Sequence, residues 1–526
     1  MEKRVLLAAL LSAIFLSWYS NAVLKWKNHG IHVNQGLIAN QQAIKPTAEN
    51  PKNEIREKIS HLIEKEEIAS IESSEISLAI GSSSGSIRSI TLKNFQSGKT
   101  HSELKFSPEI PVITPLFDGS GIVWNVKRRL DNEIELMSEN KGIDYNISYL
   151  LDRASNLITI MLSISSKDMN LAAYPSTSFL CAWEKSDSAV SRYNNLELFL
   201  LNKNDKNKKF YKRLLSSRSN GKIVPRGTLV ATLAERYFCA SIKPNSGYAQ
   251  SELLPSENGI MVSNLMPYPN IQDNGNIIYK IEAYIGPRDY FYLKRAAFDE
   301  AFPIGILGQI GLVLLFILSW IAGITKNYGI AIILLSTGIT CLMAPFTLLG
   351  FRSMRKMQLL KPKIDKIMEQ HKNDSQRANK EVFALYKEHK ISPLSGCLPM
   401  LLQIPVFIAL FQAISHYVEL RGKRFLWIAD LSLPDRLAKI PFSLPLLGNE
   451  VNILPIIMAI AMYFQTKLSQ GSMQQDTNTQ VQNPFTGPLM PILFGVMFYT
   501  VPSSLVLYWI TNTVISIGWY KKSMGT

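Results

Sequence analysis

The sequence predicts a polytopic α-helical membrane protein with six spans and a β-sandwich domain outside the bilayer. Three observations predict it. Apolar segments near bilayer length recur at 304–324, 329–350, 398–418, 451–467, 486–500 and 503–520. Between about 76 and 286 the apolar residues instead alternate with period two. The basic residues that give the 526-residue chain its net charge of +15 cluster beside the apolar runs. That clustering is the positive-inside bias of a membrane protein and makes nucleic acid a poor partner. The composition agrees, with 47% hydrophobic and 18% charged residues.

Residues 1–24 are read as a membrane anchor. Lys3 and Arg4 precede an apolar run that continues to about Val23. The run exceeds the roughly 7–15 residues of a signal-peptide core. Ser20-Asn21-Ala22 keeps cleavage open as an alternative. Residues 25–75 are polar, poor in aromatics and read as a linker.

Residues 76–286 are read as the β-sandwich. GSIRSITL (85–92) alternates with period two, YNISYLLDRASNLITIMLSIS (145–165) reads as two strands about a polar turn at 152–156, and NIIYKIEAYIG (276–286) reads as another. Residues 287–327 are read as an interfacial region, because YFYLKRAAFDEAF (290–302) mixes aromatics with charges. Residues 328–526 form the membrane core. Within it, 352–390 is a basic, amphipathic helical hairpin.

Orientation follows from charge. The basic hairpin belongs in the cytoplasm, and so does the N-terminus. The anchor delivers the β domain to the far side. An odd number of crossings must then separate that domain from the hairpin. Only 329–350 is therefore expected to cross, with 304–324 embedded at the interface. The remaining spans alternate to a cytoplasmic Lys521-Lys522. The outer loop 419–450 breaks the bias locally with Arg421, Lys423, Arg424, Arg436 and Lys439.

Catalytic motifs are weak. GSSSG (81–85) fits G-x-S-x-G but reads better as a small-residue turn entering a strand. Gly98-Lys99-Thr100 ends like a P-loop, but Lys93 stands where the first glycine is needed. No HExxH occurs, and the spans contain no Asp. Neither a cofactor nor a metal is expected. Of four cysteines, Cys341 and Cys397 lie in apolar runs. Cys181 and Cys239 could form a disulfide or remain two buried thiols.

Polar groups inside the spans carry the functional signal. They include Ser336, Thr337, Thr340 and Thr347, then Gln403, Gln412 and Ser415, and last Thr511, Asn512 and Thr513. Interhelical hydrogen bonding and a hydrated cavity both account for them. SPLSGCLPMLLQIPVFIALF (392–411) is unusual in joining such an amide to prolines at 393, 399 and 405.

That stretch resembles the third span of the YidC family of membrane protein insertases, relatives of the mitochondrial Oxa and chloroplast Albino proteins. VELRGKRFLWIADLS (418–432) resembles the loop that follows it. APFT with SMRKMQLLKPKI (344–364) resembles the second span's end and the cytoplasmic hairpin. VPSSLVLYWITN (501–512) resembles the last span, and YIGPRDY (284–290) the junction after the periplasmic domain. The anchor and β domain resemble the Gram-negative form in layout.

The resemblance implies an insertase and chaperone in the bacterial inner membrane, with both termini cytoplasmic and the β domain periplasmic. It implies a hydrophilic groove within the inner leaflet, open to cytoplasm and lipid. Ser336, Thr340, Gln403 and Thr511 would line it, and Tyr508 and Trp509 would meet the client helix. Pro399 and Pro405 would shape the bordering span. Arg352, Arg355, Met354 and Met357 would serve the cytoplasmic mouth and a mobile, client-capturing hairpin. Implied partners are nascent membrane proteins, Sec translocon components and membrane lipids. A ribosome contact is implied without a long basic tail, since little follows Tyr520. Bacterial members usually place an arginine five residues before the proline of the APFT-like motif. Here that position is Thr340, and Arg352 lies 12 residues on, about 18 Å along a helix. Two other readings compete: a small-solute transporter or channel, and an envelope enzyme using a sugar-binding type of sandwich.

Overall fold

The computed structural model describes residues 67–96, 103–106, 111–117, 122–166, 177–184, 197–204, 207–214, 226–245, 249–254, 260–272, 276–302, 306–371, 374–389, 398–444, 448–470 and 489–525. The expected anchor, the linker up to 66, Lys372, Pro393, Cys397 and the sequence 98–100 lie outside these residues. The chain divides into a β unit that ends at Pro303 and a helical unit that begins at Ile304.

Alternation builds the β unit. In the strand Ile143–Leu151, Tyr145, Ile147, Tyr149 and Leu151 are buried while the residues between them are not. Its neighbour Leu157–Ser166 buries Ile158, Ile160, Leu162 and Ile164. These are the two strands expected about the turn at 152–156. Pairing between described strands is antiparallel throughout. Strand Arg226–Ala234 pairs with Glu197–Asn204, with Ala249–Leu254 near its start and with Phe238–Pro244 near its end. Two wings of sheet diverge there.

The wings face each other across aromatic contacts. Phe117 meets Tyr145 at 5.5 Å between ring centres, and Phe95 and Phe106 each meet Phe238 at 5.6 Å. The arrangement is a β-rich domain with a core between two sheet faces. GSSSG is a turn: Gly85 has φ +66°, and a Cβ there would lie 2.9 Å from the Trp124 indole. Cys181 and Cys239 are free, buried thiols, the second of the two alternatives. Burial pushes both up to about 12.

Two boundaries move. The first strand is Ile68–Glu72, inside the stretch read as linker. Residues 290–302 pack against the β unit. Helix α1 (Tyr290–Arg295) is capped by Asp289, and Leu293, Ala296, Phe298 and Ala301 pack against Phe199, Leu201, Val230 and Tyr284. Arg288 pairs with Glu197 at 2.9 Å and lies over the rings of Phe199 and Phe302. Aromatics mixed with charges suit a lid on a sheet as well as a lipid surface.

The helical unit holds α2 (Ile306–Thr325), α3 (Tyr328–Gln370), α4 (Ser375–Glu388), α5 (Leu398–Ser415), α6 (Leu454–Gln470), α7 (Leu489–Phe498) and α8 (Ser503–Gly525). The expected apolar segments reappear in order. Two described helices are long and apolar enough to cross a membrane, over 307–325 and 328–357. The described part of α7 is 10 residues, about 15 Å. Leu315, Leu318, Leu335, Leu410, Met458, Phe498 and Tyr508 share one core. Gly311 permits close packing of α2 on α5, since a Cβ there would come 2.7 Å from the Ala409 carbonyl.

Helix α3 joins what the sequence divided. The expected span and the first arm of the hairpin form one helix of 43 residues. Its basic segment is rich in Met, Leu, Lys, Arg and Gln, all good helix formers. His371 ends α3 and Asp374 caps α4, accepting from the Arg377 N–H at 2.9 Å. His371 also meets Glu381 at 3.1 Å and closes the hairpin.

Candidate functional site

Three helices bring their polar residues to one level. On α3, Ser336 and Thr340 are one turn apart and share a face. Each hydroxyl donates to its own helix, Ser336 to the Ile332 carbonyl and Thr340 to the Ser336 carbonyl, both at 2.6 Å. In a site without water such back-bonding is the cheapest way to satisfy a hydroxyl. It leaves the Thr340 oxygen free to accept from elsewhere.

That acceptance comes from α8. Asn512 donates through Nδ2 to Thr340 Oγ1 at 3.1 Å and to Gln403 Oε1 at 3.3 Å. Gln403 in turn donates through Nε2 to the Tyr508 hydroxyl. Tyr508 and Asn512 are one turn apart on α8. Thr340, Asn512, Gln403 and Tyr508 thus form a hydrogen-bonded layer linking α3, α5 and α8. Pro405 lies two residues beyond Gln403 and has no N–H, so the Leu401 carbonyl has no intrahelical donor.

The layer is neutral. Residues 328–351, 398–415 and 503–520 contain no Asp, Glu, Lys or Arg. Thr340 is 3% exposed and Ser336 and Tyr508 are fully buried, whereas Gln403 and Asn512 are half-buried. The accessible part of the layer is therefore its two amides. Each can donate and accept, so each can meet a peptide group or a polar side chain of either kind. No described group of His, Cys, Asp and Glu could hold a metal.

Other expected residues fall elsewhere. Thr511 donates to the Leu507 carbonyl at 2.8 Å, within its own helix. Trp509 packs with Phe407, Phe494 and Phe498 at 5.2, 5.6 and 5.3 Å between ring centres. Arg352, Arg355 and Met357 lie further along α3, with Arg352 exposed and the other two half-buried. Met354 and Pro399 are in α3 and α5, and their side chains lie outside the description. Asn512, which bridges the three helices, was not singled out among the polar residues of its span. An asparagine one turn after a span-buried tyrosine was the available signal.

One end of the helices is closed by residues 418–437. Asp435 accepts through Oδ2 from the Ile453 and Leu454 N–H groups at 2.8 and 3.0 Å, which caps α6. The Ser503 N–H donates to the Leu433 carbonyl at 2.8 Å and the Ser504 N–H to the Leu431 carbonyl at 3.1 Å, which satisfies the start of α8. Asn327 caps α3. The Phe425 ring fills the space a Gly329 side chain would take, at 2.1 Å from an added Cβ.

Residues 320–521 match the family described as 60Kd inner membrane protein. The chain is similar to a membrane protein insertase YidC of Syntrophobacter fumaroxidans, 37% identical over 62% of this chain and 58% of the relative. It is 34% identical to that of Endomicrobium trichonymphae over 54% of this chain and 53% of the relative. It is 32% identical to that of Pelobacter propionicus over 58% of this chain and 56% of the relative. The chain thus spans a little over half the length of these relatives. A solved structure described as an active YidC insertase with its first transmembrane domain resolved is 18% identical, covers 87% of this chain and 95% of its own, and superposes with a TM-score of 0.38.

Proposed function

We propose, for a chain whose residues 320–521 match the family described as 60Kd inner membrane protein and which is similar to curated YidC insertases, that it inserts other proteins into the bacterial inner membrane. The observation that carries the reading is the neutral layer of Thr340, Gln403, Tyr508 and Asn512 within charge-free helices. A charged residue costs roughly 2.5–3.5 kcal/mol at the bilayer centre on the insertion scale. Polar side chains part-way through the membrane shorten the apolar path that a client segment must cross. The client's own apolar segment then partitions into lipid, and the step needs no nucleotide.

In this reading Gln403 and Asn512 offer a client the first hydrogen bonds, and Thr340 and Tyr508 hold those amides in place. The layer stands in for the arginine usual in bacterial members, so capture acts by hydrogen bonding rather than charge. The clients are nascent membrane proteins, reached alone or with Sec translocon components, and the protein is not an enzyme. The hairpin of α3 and α4 reaches into the cytoplasm and contributes to client capture, while the β unit is periplasmic.

The topology proposed has α2 embedded without crossing and α3 crossing. Cysteine accessibility at Lys326 and Lys372 tests it, with opposite sides of the membrane expected. Finding both on one side overturns the arrangement. The function is tested by reconstituting the full chain in liposomes with a small client protein. A protease-protected client supports insertion, whereas solute flux without protection supports a transporter or channel.

A further inference from the structure

The closing segment 418–437 carries a projection that its packing role leaves unused. Phe425 and Ile428 exchange two backbone hydrogen bonds, at 3.0 and 2.8 Å, and so form a two-residue hairpin tip. At the tip stand Leu426, 74% exposed, and Trp427, 43% exposed. Leu426 is in the left-handed region at φ +50°. Such a backbone is strained for a residue with a Cβ, and glycine would relieve it. The tip thus presents a large apolar side chain from a strained position.

Its surroundings are basic. Lys423 and Arg424 are exposed on the segment entering the tip, and Lys326 is exposed at the turn before α3. Trp427 has its indole N–H directed to Asp435 at 3.4 Å, which leaves the rest of the ring outward. An aromatic with one polar edge, beside a leucine and cations, matches the boundary between acyl chains and phosphates. These are also the basic residues that break the charge bias of the outer loop.

We propose that the tip 424–428 is seated in the headgroup layer of the bilayer, with Leu426 and Trp427 toward the acyl chains and Lys423 and Arg424 on anionic lipid phosphates. Phe425 connects this anchor to the start of α3 through the Gly329 notch, so it sets the depth of the helix that carries Thr340. The inference rests on the reading that the helical unit spans a bilayer.

The test uses the full chain with Cys341→Ser and Cys397→Ser, a nitroxide on Leu426→Cys, and vesicles of phosphatidylcholine with or without phosphatidylglycerol. Collisions with oxygen, which concentrates in lipid, are compared with those of a water-soluble nickel chelate. Labels on Glu139→Cys, exposed on the β unit, and Phe316→Cys, exposed on α2, give the references. The expected oxygen-to-nickel ratio at 426 is several-fold above that at 139 and rises when phosphatidylglycerol is present. Arg424→Gln abolishes the rise. A ratio at 426 equal to that at 139 in both vesicles overturns the proposal, as does a tip that leaves water only when another protein is added. If 316 also reports water, the bilayer reading itself fails. If 316 reports lipid and 426 water, only the anchor fails.

Discussion

The two units of this chain expose opposite things. In the β unit the core is mostly aliphatic and aromatic, its buried polar residues include the hydrogen-bonded Thr232 and Ser241, and the exposed faces of its strands are mostly polar. In the helical unit the outer faces of α2 and α7 expose Phe316, Trp320, Ile324, Ile492 and Leu493, while Ser336, Thr340 and Tyr508 are buried. Each unit hides from its own surroundings what those surroundings would reject. The β unit is built against water. The helical unit has an exterior suited to hydrocarbon, so its polar residues bond to the carbonyls of their own helices, to one another, or to a client.

The strongest way to break the contrast is to remove Arg288. It is a largely buried cation of the β unit, held by Glu197 and two aromatic rings. Arg288→Ala leaves Glu197 without this partner, and we expect a loss of about 3–5 kcal/mol, read by urea unfolding of the reconstituted chain. A loss below about 1 kcal/mol would mean that water reaches the pair. Next comes a matched pair of surface aspartates. Met137→Asp, at a site 45% exposed on the β unit, should change stability by less than about 0.5 kcal/mol. Phe316→Asp, at a site 64% exposed on α2, should cost roughly 2.5–3.5 kcal/mol of membrane integration if that face meets lipid near mid-bilayer. Equal, small effects would erase the difference between the units.

Thr340 sharpens the comparison within the helical unit. Thr340→Val keeps the shape but removes the acceptor for Asn512, and a modest loss of insertion, about 1 kcal/mol, is expected. Thr340→Arg should still fold, because the half-buried Gln403 and Asn512 beside it leave an outlet for a guanidinium, and it should favour clients with acidic tails. Recovery of only unfolded protein would show a sealed layer. The smallest effect belongs to an exposed pair. The Lys93 hydrogen bond, and then its charge, hold the Glu72 carboxyl below its usual range. A depressed acid stabilises the fold above its unfolded value and loses that contribution as pH falls through the folded value. The β unit should therefore lose less than about 1 kcal/mol below pH ~4 from this pair, and Lys93→Met should remove that part of the acid sensitivity.

What the sequence made legible depended on the range of the interaction. Period-two alternation placed the strands Ile143–Leu151 and Leu157–Ser166, since each strand's burial is written in its own residues. Apolar runs placed α2, α3, α5, α6 and α8 in the same way. Gln403, Thr340 and Tyr508 were legible as polar groups in apolar surroundings. The part of Asn512 was not, because its partners are 109 and 172 residues away and only packing brings them together. The packing of Trp509 was not legible for a similar reason, since the phenylalanines around it come from α5 and α7. The change from apolar to basic composition at 351–352 leaves α3 continuous, because both compositions favour helix.

The continuity of α3 makes its basic arm and the polar layer parts of one lever. Thr340 is 30 residues from Gln370, about 45 Å along one continuous helix. Near Thr340 the rod is held by Asn512, and at its start by Phe425 against Gly329. Pro345 and Pro362 each omit one rung of the ladder and are its points of compliance. A load on the far arm therefore reaches the layer as a bending moment, relieved first at Pro362 and then at Pro345, five residues from the threonine.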